Sequence, residues 1–302
     1  MTKNAASKPD IYTRITNQII TALEAGTKPW TQPWQPSHAA GAVSRPLRFN
    51  GEAYSGINVL TLWASAMERH LAAPIWMTFK QAIELGGHVR KGETGSPVVY
   101  ANTLKRTETD PATGQDEERA IPFLKAYTVF NVEQIEGLPA HYYALATGVS
   151  NPDQRIASAE TFFQATGAEI HHGGSSACYI PSLDRIHMPA FEAFRDAESY
   201  YATLAHEITH WTRHDSRLAR DFGRERFGDA GYAQEELVAE LGAAFLCADL
   251  HITLSERDDH ASYIASWLKV LKNDNKAVFT AAAHAQRAVD FLHGKQAEKL
   301  AA

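Results

Sequence analysis

The sequence predicts an α+β protein of two domains: a small mixed α/β domain over residues 1–148 and a mainly helical domain with a short sheet over residues 149–302. Two observations lead to this prediction. Helical and strand-like periodicities alternate in the first half, whereas long helical patterns dominate the second half. Between residues 138 and 152 the composition also changes to a proline- and glycine-containing stretch that is typical of a linker.

The first half opens with a predicted amphipathic helix over residues 10–25, where apolar side chains recur every four residues. Asp10 is its predicted N-cap, and Gly26 its predicted stop. Two further helices are predicted over residues 57–69 and 78–85, and two strands over residues 98–104 and 123–132. The polar segment 105–119, which contains Asp-Pro and Thr-Gly turn signals, is predicted to be a long exposed hairpin loop.

The second half carries mostly helical periodicity. Helices are predicted over residues 157–166, 197–214, 234–250, 256–271 and 278–292, and short strands over residues 168–171, 177–180 and 185–187. A loop rich in Arg, Asp and Gly is predicted over residues 215–231.

Composition excludes several classes of protein. The chain of 302 residues is 44% hydrophobic and 21% charged, which is ordinary for a soluble globular protein. Its two cysteines, Cys178 and Cys247, argue against a disulfide scaffold and for a reducing compartment. With no apolar run of about 18 residues and no secretory signal, we expect no membrane partner and a cytoplasmic location.

Charge is unevenly distributed along the chain. Residues 1–100 hold 10 Lys and Arg against 6 Asp and Glu, although the whole chain has a net charge of −6. A basic first third on an acidic chain is consistent either with an anionic partner for that region or with ordinary fluctuation.

The pentapeptide from His206 to His210, His-Glu-Ile-Thr-His, carries the clearest chemical signal. Residues four apart in a helix lie on the same face, so His206 and His210 can bind one zinc ion. Glu207, beside them, can take a proton from a zinc-bound water. In a chain with 14 histidines such a motif can also arise by chance, but the apolar stripe of Leu204, Ile208 and Trp211 favours a helix here.

A catalytic zinc normally needs a third protein ligand. His214 is excluded because it lies about 12 Å from His206 along a helix axis. In the next helix Glu236 and Glu240 share a face, so one could bind the metal while the other orients a histidine; we predict Glu236 as ligand and leave Glu240 as the alternative. Alternatively, both are solvated first-turn residues, a description that fits Glu235 best.

The motif followed by Glu236-x-x-Ala239-Glu240 resembles the gluzincin arrangement of zinc metallopeptidases. The resemblance implies one Zn²⁺ or another divalent transition metal, Glu207 as general base and acid, and a gluzincin-like fold. It leaves the oxyanion donor open among five residues: Tyr179, His171, His172, His214 and Tyr232. By analogy, the strand at 184–189 is expected to be an edge strand lining the cleft.

Aromatic and basic residues alternate in the first half, a combination that holds single-stranded nucleic acid by stacking and charge. The predicted DNA-binding residues are Lys28, Trp30, Trp34, Arg45, Arg48, Lys80, Arg90 and Lys91. The aromatics among them could equally be core residues.

The chain resembles the ArdC antirestriction family. The matching segments are residues 29–34, 54–58, 76–81, 89–93, 179–181, 206–210 and 235–241. This resemblance implies a single-stranded-DNA-binding domain followed by a zincin-like metallopeptidase domain. It implies a conjugative-plasmid protein that protects entering DNA from restriction in the recipient bacterium, with a host restriction component as a possible protein partner. The alternative is a zinc protease that cleaves a host protein or repressor and uses DNA binding only for localisation.

Overall fold

The computed structural model describes residues 10–30, 44–109, 116–143, 152–223, 229–252 and 260–301. The predicted α+β class and the two-domain architecture are both confirmed. Among the described residues, no helix is both long and apolar enough to cross a membrane.

The N-terminal domain is built on a four-stranded sheet of order β1-β2-β5-β4. Its strands are β1 (Leu47–Arg48), β2 (Ile75–Thr78), β4 (Ser96–Thr109) and β5 (Asp116–Asn131), and β3 (His88–Val89) pairs separately with β6 (Ile135–Glu136). Its helices are α1 (Ile11–Glu24), α2 (Ile57–Arg69) and α3 (Phe79–Glu84). The three predicted helices are therefore present within one or two residues of their expected ends.

Helix α1 forms for the reasons visible in its sequence. The Asp10 side chain accepts a hydrogen bond from the Thr13 backbone N–H at 3.1 Å, which satisfies one of the free donors at the helix start. Ile15, Ile19 and Leu23 form its buried face. These residues belong to a core that extends into the C-terminal domain.

The predicted long loop between β4 and β5 is largely wrong. The two strands pair continuously out to Thr109 and Asp116, so much of segment 105–119 is antiparallel ribbon, and its tip lies outside the described residues. Backbone pairing alone satisfies the hydrogen bonds of such a ribbon. A polar ribbon therefore lacks the apolar alternation by which strands are recognised in sequence.

The C-terminal domain combines five helices with a three-stranded sheet among the described residues. Its helices are α4 (Pro152–Ala165), α5 (Ala197–Trp211), α6 (Ala230–Leu250), α7 (His260–Asn273) and α8 (Ala277–Ala301); its strands are β7 (Glu169–His172), β8 (Cys178–Ile180) and β9 (Arg185–Met188). The sheet has the order β7-β9-β8. Strand β9 is thus central, and the prediction that it is an edge strand is wrong, because order along the chain does not fix order in a sheet.

Two helix ends differ from the prediction and affect the site. Helix α5 ends at Trp211, where the Thr212 hydroxyl donates to the Thr209 carbonyl at 2.6 Å and the chain turns away. Helix α6 begins at Ala230, four residues earlier than predicted. Residues 235 and 236 therefore lie in its second turn, facing α5, and not at an exposed helix start.

The two domains are tied together by packing and by polar contacts. Helix α1 packs against α7, and α2 against α8. The Thr16 hydroxyl donates to the Asn275 carbonyl at 2.7 Å. Arg45 forms a bidentate ion pair with Asp249, with hydrogen bonds of 2.8 and 2.9 Å. The N-terminal domain therefore contacts three helices of the C-terminal domain: α6 through Asp249, α7 and α8.

Candidate metal centre

Helix α5 packs closely on α6. This packing places His206 and His210 opposite Glu235 and Glu236, which form the acidic turn of α6. Gly242 permits this approach, since a Cβ there would lie 2.5 Å from Thr209 Cγ2. Ala243 and Ala244 are buried beside it. Small side chains at these three positions allow the two helix backbones to lie close together.

Three side chains converge between the helices. His206 Nε2 and His210 Nε2 are 3.2 Å apart, and the Glu236 carboxylate oxygens lie 3.5 and 3.6 Å from these two nitrogens. A tetrahedral zinc with ligands at about 2.1 Å requires ligand-to-ligand distances of about 3.4 Å. The observed triangle therefore has the size and the donor chemistry of a three-ligand site with a fourth position left for water.

The ionisation of Glu236 suits this arrangement. Burial acts to raise its pKa, but a hydrogen bond from His206 and the charges of His210 and His206 outweigh it and lower the pKa to about 2. The carboxylate is therefore charged at neutral pH, the form that binds a metal.

Glu235 departs from the expectation of a solvated first-turn residue. It is buried, its Oε1 lies 3.0 Å from His210 Nδ1, and both its oxygens accept hydrogen bonds from Arg220 at 2.7 Å. Burial alone would raise the pKa of Glu235, but the bonds from Arg220 and then His210 lower it to about 2. A carboxylate at Nδ1 keeps the proton on that nitrogen and directs the Nε2 lone pair to the metal position.

Arg220 was missed by sequence reasoning. It lies in the segment predicted to be an Arg-rich loop, and its side chain is fully buried. It also bonds the Thr212 hydroxyl and the Thr209 carbonyl. A buried arginine among many exposed ones carries no signal in a single sequence, because its partners are 8 to 15 residues away.

Glu240 lies beside the other histidine. Its Oε2 is 3.7 Å from His206 Nδ1, on the side of the ring away from the triangle of donor atoms. Its Oε1 accepts a hydrogen bond from the indole N–H of Trp30 at 3.2 Å. This position favours Glu236 over Glu240 as third ligand and leaves Glu240 in ion-pair contact with the Nδ1 side of His206.

Glu207 is held against the sheet. It is only 3% exposed, and its Oε2 accepts a hydrogen bond from the Tyr179 backbone N–H at 2.9 Å. Tyr179 belongs to β8, an edge strand of the three-stranded sheet, so the Glu207 carboxylate lies against the edge of that sheet.

The five candidate oxyanion donors have different surroundings. The Tyr179 hydroxyl donates to Asp184 at 3.0 Å, and burial, followed by this bond, raises its pKa to about 12. His171, His172 and His214 bond to Glu169, Tyr200 and Ser216, respectively. Tyr232 differs from these four because it hydrogen bonds to Glu236, one of the triangle side chains.

The predicted DNA-binding residues divide into two groups. Lys28, Trp30 and Arg45 are at most 7% exposed and have acidic partners on α6, so the prediction that they contact DNA is corrected: they are buried between domains. A buried tryptophan or arginine cannot stack on a base without unfolding its surroundings. The exposed group is Arg48, Lys80, Arg90 and Lys91, and Trp34 lies outside the described residues.

Two different protein families match the two domains of the chain. Residues 9–130 match the family described as the N-terminal domain of anti-restriction factor ArdC. Residues 157–284 match the family of zincin-like metallopeptidases.

Curated relatives match almost the whole chain. An uncharacterized protein, y4eC of Sinorhizobium fredii (strain NBRC 101917 / NGR234), is 44% identical over 294 residues, covering 96% of this chain and 93% of its own. Two DNA primases TraC of Escherichia coli are 38% and 36% identical over 95% and 96% of this chain. This chain spans only 27% and 20% of those longer proteins.

Two solved structures share the fold and much of the sequence. The metal-free crystal structure of antirestriction ArdC protein from the R388 plasmid has a TM-score of 0.79 and 46% identity, covering 96% of this chain and 99% of its own. The Mn(II)-bound structure of that protein has a TM-score of 0.77 and 44% identity, over 95% and 98% of the two chains. With both domain matches in order and similarity over nearly the full length of a solved relative, the chain belongs to the ArdC family of antirestriction proteins.

Proposed function

We propose that the protein acts as an antirestriction factor of a conjugative plasmid, in the cytoplasm of the recipient bacterium. In this proposal the N-terminal domain binds single-stranded DNA and protects the entering strand from host restriction. The C-terminal domain holds one divalent metal ion, Zn²⁺ in the first instance, between His206, His210 and Glu236. The observation that carries the metal site is the triangle of donor atoms, with edges of 3.2 to 3.6 Å.

The residues around the triangle are those that amide hydrolysis requires. A bound zinc supplies a water of lowered pKa and polarises a carbonyl. In this proposal the Glu207 carboxylate, which accepts a hydrogen bond from the Tyr179 N–H, takes the proton of the attacking water and passes it to the leaving amine. We propose Tyr232, which hydrogen bonds to Glu236, as the hydroxyl that would donate to a developing oxyanion.

An exposed aromatic face on the β4–β5 ribbon supports the DNA-binding half of the proposal. Tyr100, Phe123 and Tyr127 are 40 to 49% exposed, and Tyr100 pairs directly with Lys125 across the ribbon. Phe123 and Tyr127 flank Lys125 at spacings of two, so all four side chains share one face of the ribbon. Aromatic rings on which bases stack, with a cation for the phosphates, can bind single strands without reading their sequence.

The DNA-binding half is tested by measuring affinity for a single-stranded oligonucleotide by fluorescence anisotropy. We expect Tyr100→Ala with Phe123→Ala to weaken binding by at least one to two orders of magnitude, since stacking contributes about 1–3 kcal/mol per base and two rings are removed. Phe191→Ala, which removes a 43% exposed ring from the C-terminal domain, is the matched control. Wild-type affinity that is absent, or that does not fall with salt, contradicts DNA binding itself.

A zinc protease that cleaves a host protein or repressor is the second candidate function. It is favoured by Glu207, because a purely structural metal site has no need of a buried carboxylate at the strand edge. Protection of conjugated plasmid DNA should be compared between wild type and Glu207→Gln, with metal content and DNA affinity checked in both. Loss of protection with both controls intact indicates proteolysis, whereas full protection indicates shielding of the DNA.

A further inference from the structure

The segment that leaves α1 inserts two side chains of the N-terminal domain beside the candidate metal centre. Trp30 is fully buried, and its indole N–H donates to Glu240 Oε1 at 3.2 Å. Lys28 is 5% exposed, and its Nζ lies 3.6 Å from the same oxygen. Both contacts join residues more than 200 positions apart in the chain, so they depend on the docking of the two domains.

Glu240 requires such partners because its carboxylate is buried. An ionised carboxylate removed from water is stable only when charge and hydrogen bonds compensate it. Its other oxygen lies 3.7 Å from His206 Nδ1, so its position affects the orientation of that imidazole. The contacts form a chain in the order Lys28 and Trp30, Glu240, His206 and then the metal position.

We propose that Lys28 and Trp30 are positioning residues of the metal centre, which the C-terminal domain therefore does not complete by itself. They hold Glu240 in the place from which it orients His206 Nε2 towards the metal. This inference rests on the proposed metal site at His206, His210 and Glu236. It assigns to the first segment of the N-terminal domain a part in metal binding, in place of the DNA contact predicted for these two residues.

Two substitutions separate the hydrogen bond from the charge. Trp30→Phe retains an aromatic ring and removes the N–H, and Lys28→Met retains an unbranched stem and removes the charge. Affinity of the purified full-length chain for Zn²⁺ is measured by competition with a chromophoric chelator. We expect each variant to bind more weakly, by up to the roughly 10- to 100-fold that is usual when the direct partner of a ligating histidine is removed.

Matched controls distinguish positioning from general damage. Trp267→Phe is the same substitution in the ring that packs edge-to-face on Trp30 at 5.9 Å, and the Trp267 N–H has no hydrogen-bond partner among the described residues. Thr16→Val removes another bond between the domains, one that does not involve Glu240. Both controls should bind Zn²⁺ as wild type does.

A spectroscopic measurement reports the ligand geometry directly. With Co²⁺ in place of Zn²⁺, the visible absorption bands should change in Trp30→Phe and stay unchanged in Trp267→Phe. Lys28→Arg, which retains the charge, should recover much of the affinity lost in Lys28→Met. If Lys28→Met does not fold, Trp30→Phe carries the test alone.

The outcomes separate this inference from the proposed metal site. If wild type binds no stoichiometric metal, or if His206→Ala and His210→Ala bind it equally well, the proposed site is wrong. If wild type binds one ion through those histidines while Trp30→Phe and Lys28→Met bind it with unchanged affinity and spectrum, the positioning role alone is overturned.

Discussion

His210 Nδ1 and Glu235 Oε1 lie 3.0 Å apart, and Arg220 donates hydrogen bonds to both oxygens of the same carboxylate. The pair joins the motif helix to the acidic turn of α6 and determines which nitrogen of His210 faces the metal position. Because this acid is buried between a proposed metal-ligating histidine and a buried arginine, removing its charge is expected to cost both metal affinity and stability.

Replacing Glu235 therefore has two expected effects. Glu235→Gln should weaken Zn²⁺ binding by about 10- to 100-fold, because His210 loses its carboxylate partner. It should also lower the free energy of unfolding of the metal-free protein by on the order of 3 kcal/mol, because Arg220 loses its charge partner in a buried site. Chelator competition and urea unfolding measure the two effects.

Glu24→Gln is the control for Glu235→Gln. Glu24 pairs with Lys272 at the surface, where both side chains are about half exposed. An exposed pair contributes at most about 1 kcal/mol. A Glu235 variant as stable as this control would show that the buried ion pair does not contribute as described.

Metal should stabilise the fold. A ligand that binds only the native state adds about 2.7 kcal/mol when its concentration is 100 times the dissociation constant. We expect the melting temperature to rise by several degrees on addition of Zn²⁺ or Mn²⁺ to the metal-free protein and to fall again with a chelator. His206→Ala and His210→Ala should abolish the rise; a rise that persists in both would place the metal elsewhere.

Gly242 of α6 lies against Thr209 of α5, so a larger residue at position 242 is expected to push the two helices apart. A Cβ at position 242 would overlap Thr209, so Gly242→Ala should destabilise the protein by about 1–3 kcal/mol and weaken metal binding. Gly294→Ala is the matched control, because a Cβ there meets no atom of the described residues within 4 Å and alanine favours a helix by about 1 kcal/mol.

A second substitution tests the cause. Combining Gly242→Ala with Thr209→Ala removes the atoms that clash, so part of the lost stability and metal affinity should return. If the double variant is no better than Gly242→Ala alone, steric overlap with Thr209 is not the reason. Thermal melting measures the stability of these variants, and chelator competition measures their metal affinity.

Acid should weaken the attachment of the N-terminal domain through Asp249. Burial acts to raise the pKa of Asp249, but a hydrogen bond from His293 and then the charge of Arg45 outweigh it, so the pKa is lowered from 3.8. A carboxyl with a lowered pKa in the folded state stabilises the fold above its unfolded value and loses that contribution as the pH falls through the folded value. Stability should therefore decline as the pH falls below about 4.

This decline is measured as the melting temperature of the chelator-treated protein between neutral pH and about pH 3. Asp249→Asn removes the titrating group, so its melting temperature should be lower at neutral pH and should change less in the acid range. An equal acid dependence in wild type and Asp249→Asn would assign the effect to other carboxyl groups.

Sequence patterns that span only a few residues were sufficient to predict much of the secondary structure. The four-residue repeat of isoleucines and the Asp10 cap predicted α1, and the spacing of His206 and His210 predicted two nitrogens on one face. Where the pattern was polar, as in the outer part of the β4–β5 ribbon, the prediction was wrong, since backbone pairing leaves no mark on side-chain chemistry.

By itself the sequence determined the α+β class, the motif helix and the small set of acids from which the third ligand could come. The tertiary structure alone decided that Glu236 completes the donor triangle, that Glu235 and Glu240 lie beside different histidines, and that Trp30 is buried against Glu240. The reason is physical. Helical periodicity is set by bonds four residues apart, whereas the partner of a buried charge is set by how segments separated by up to 210 residues pack together.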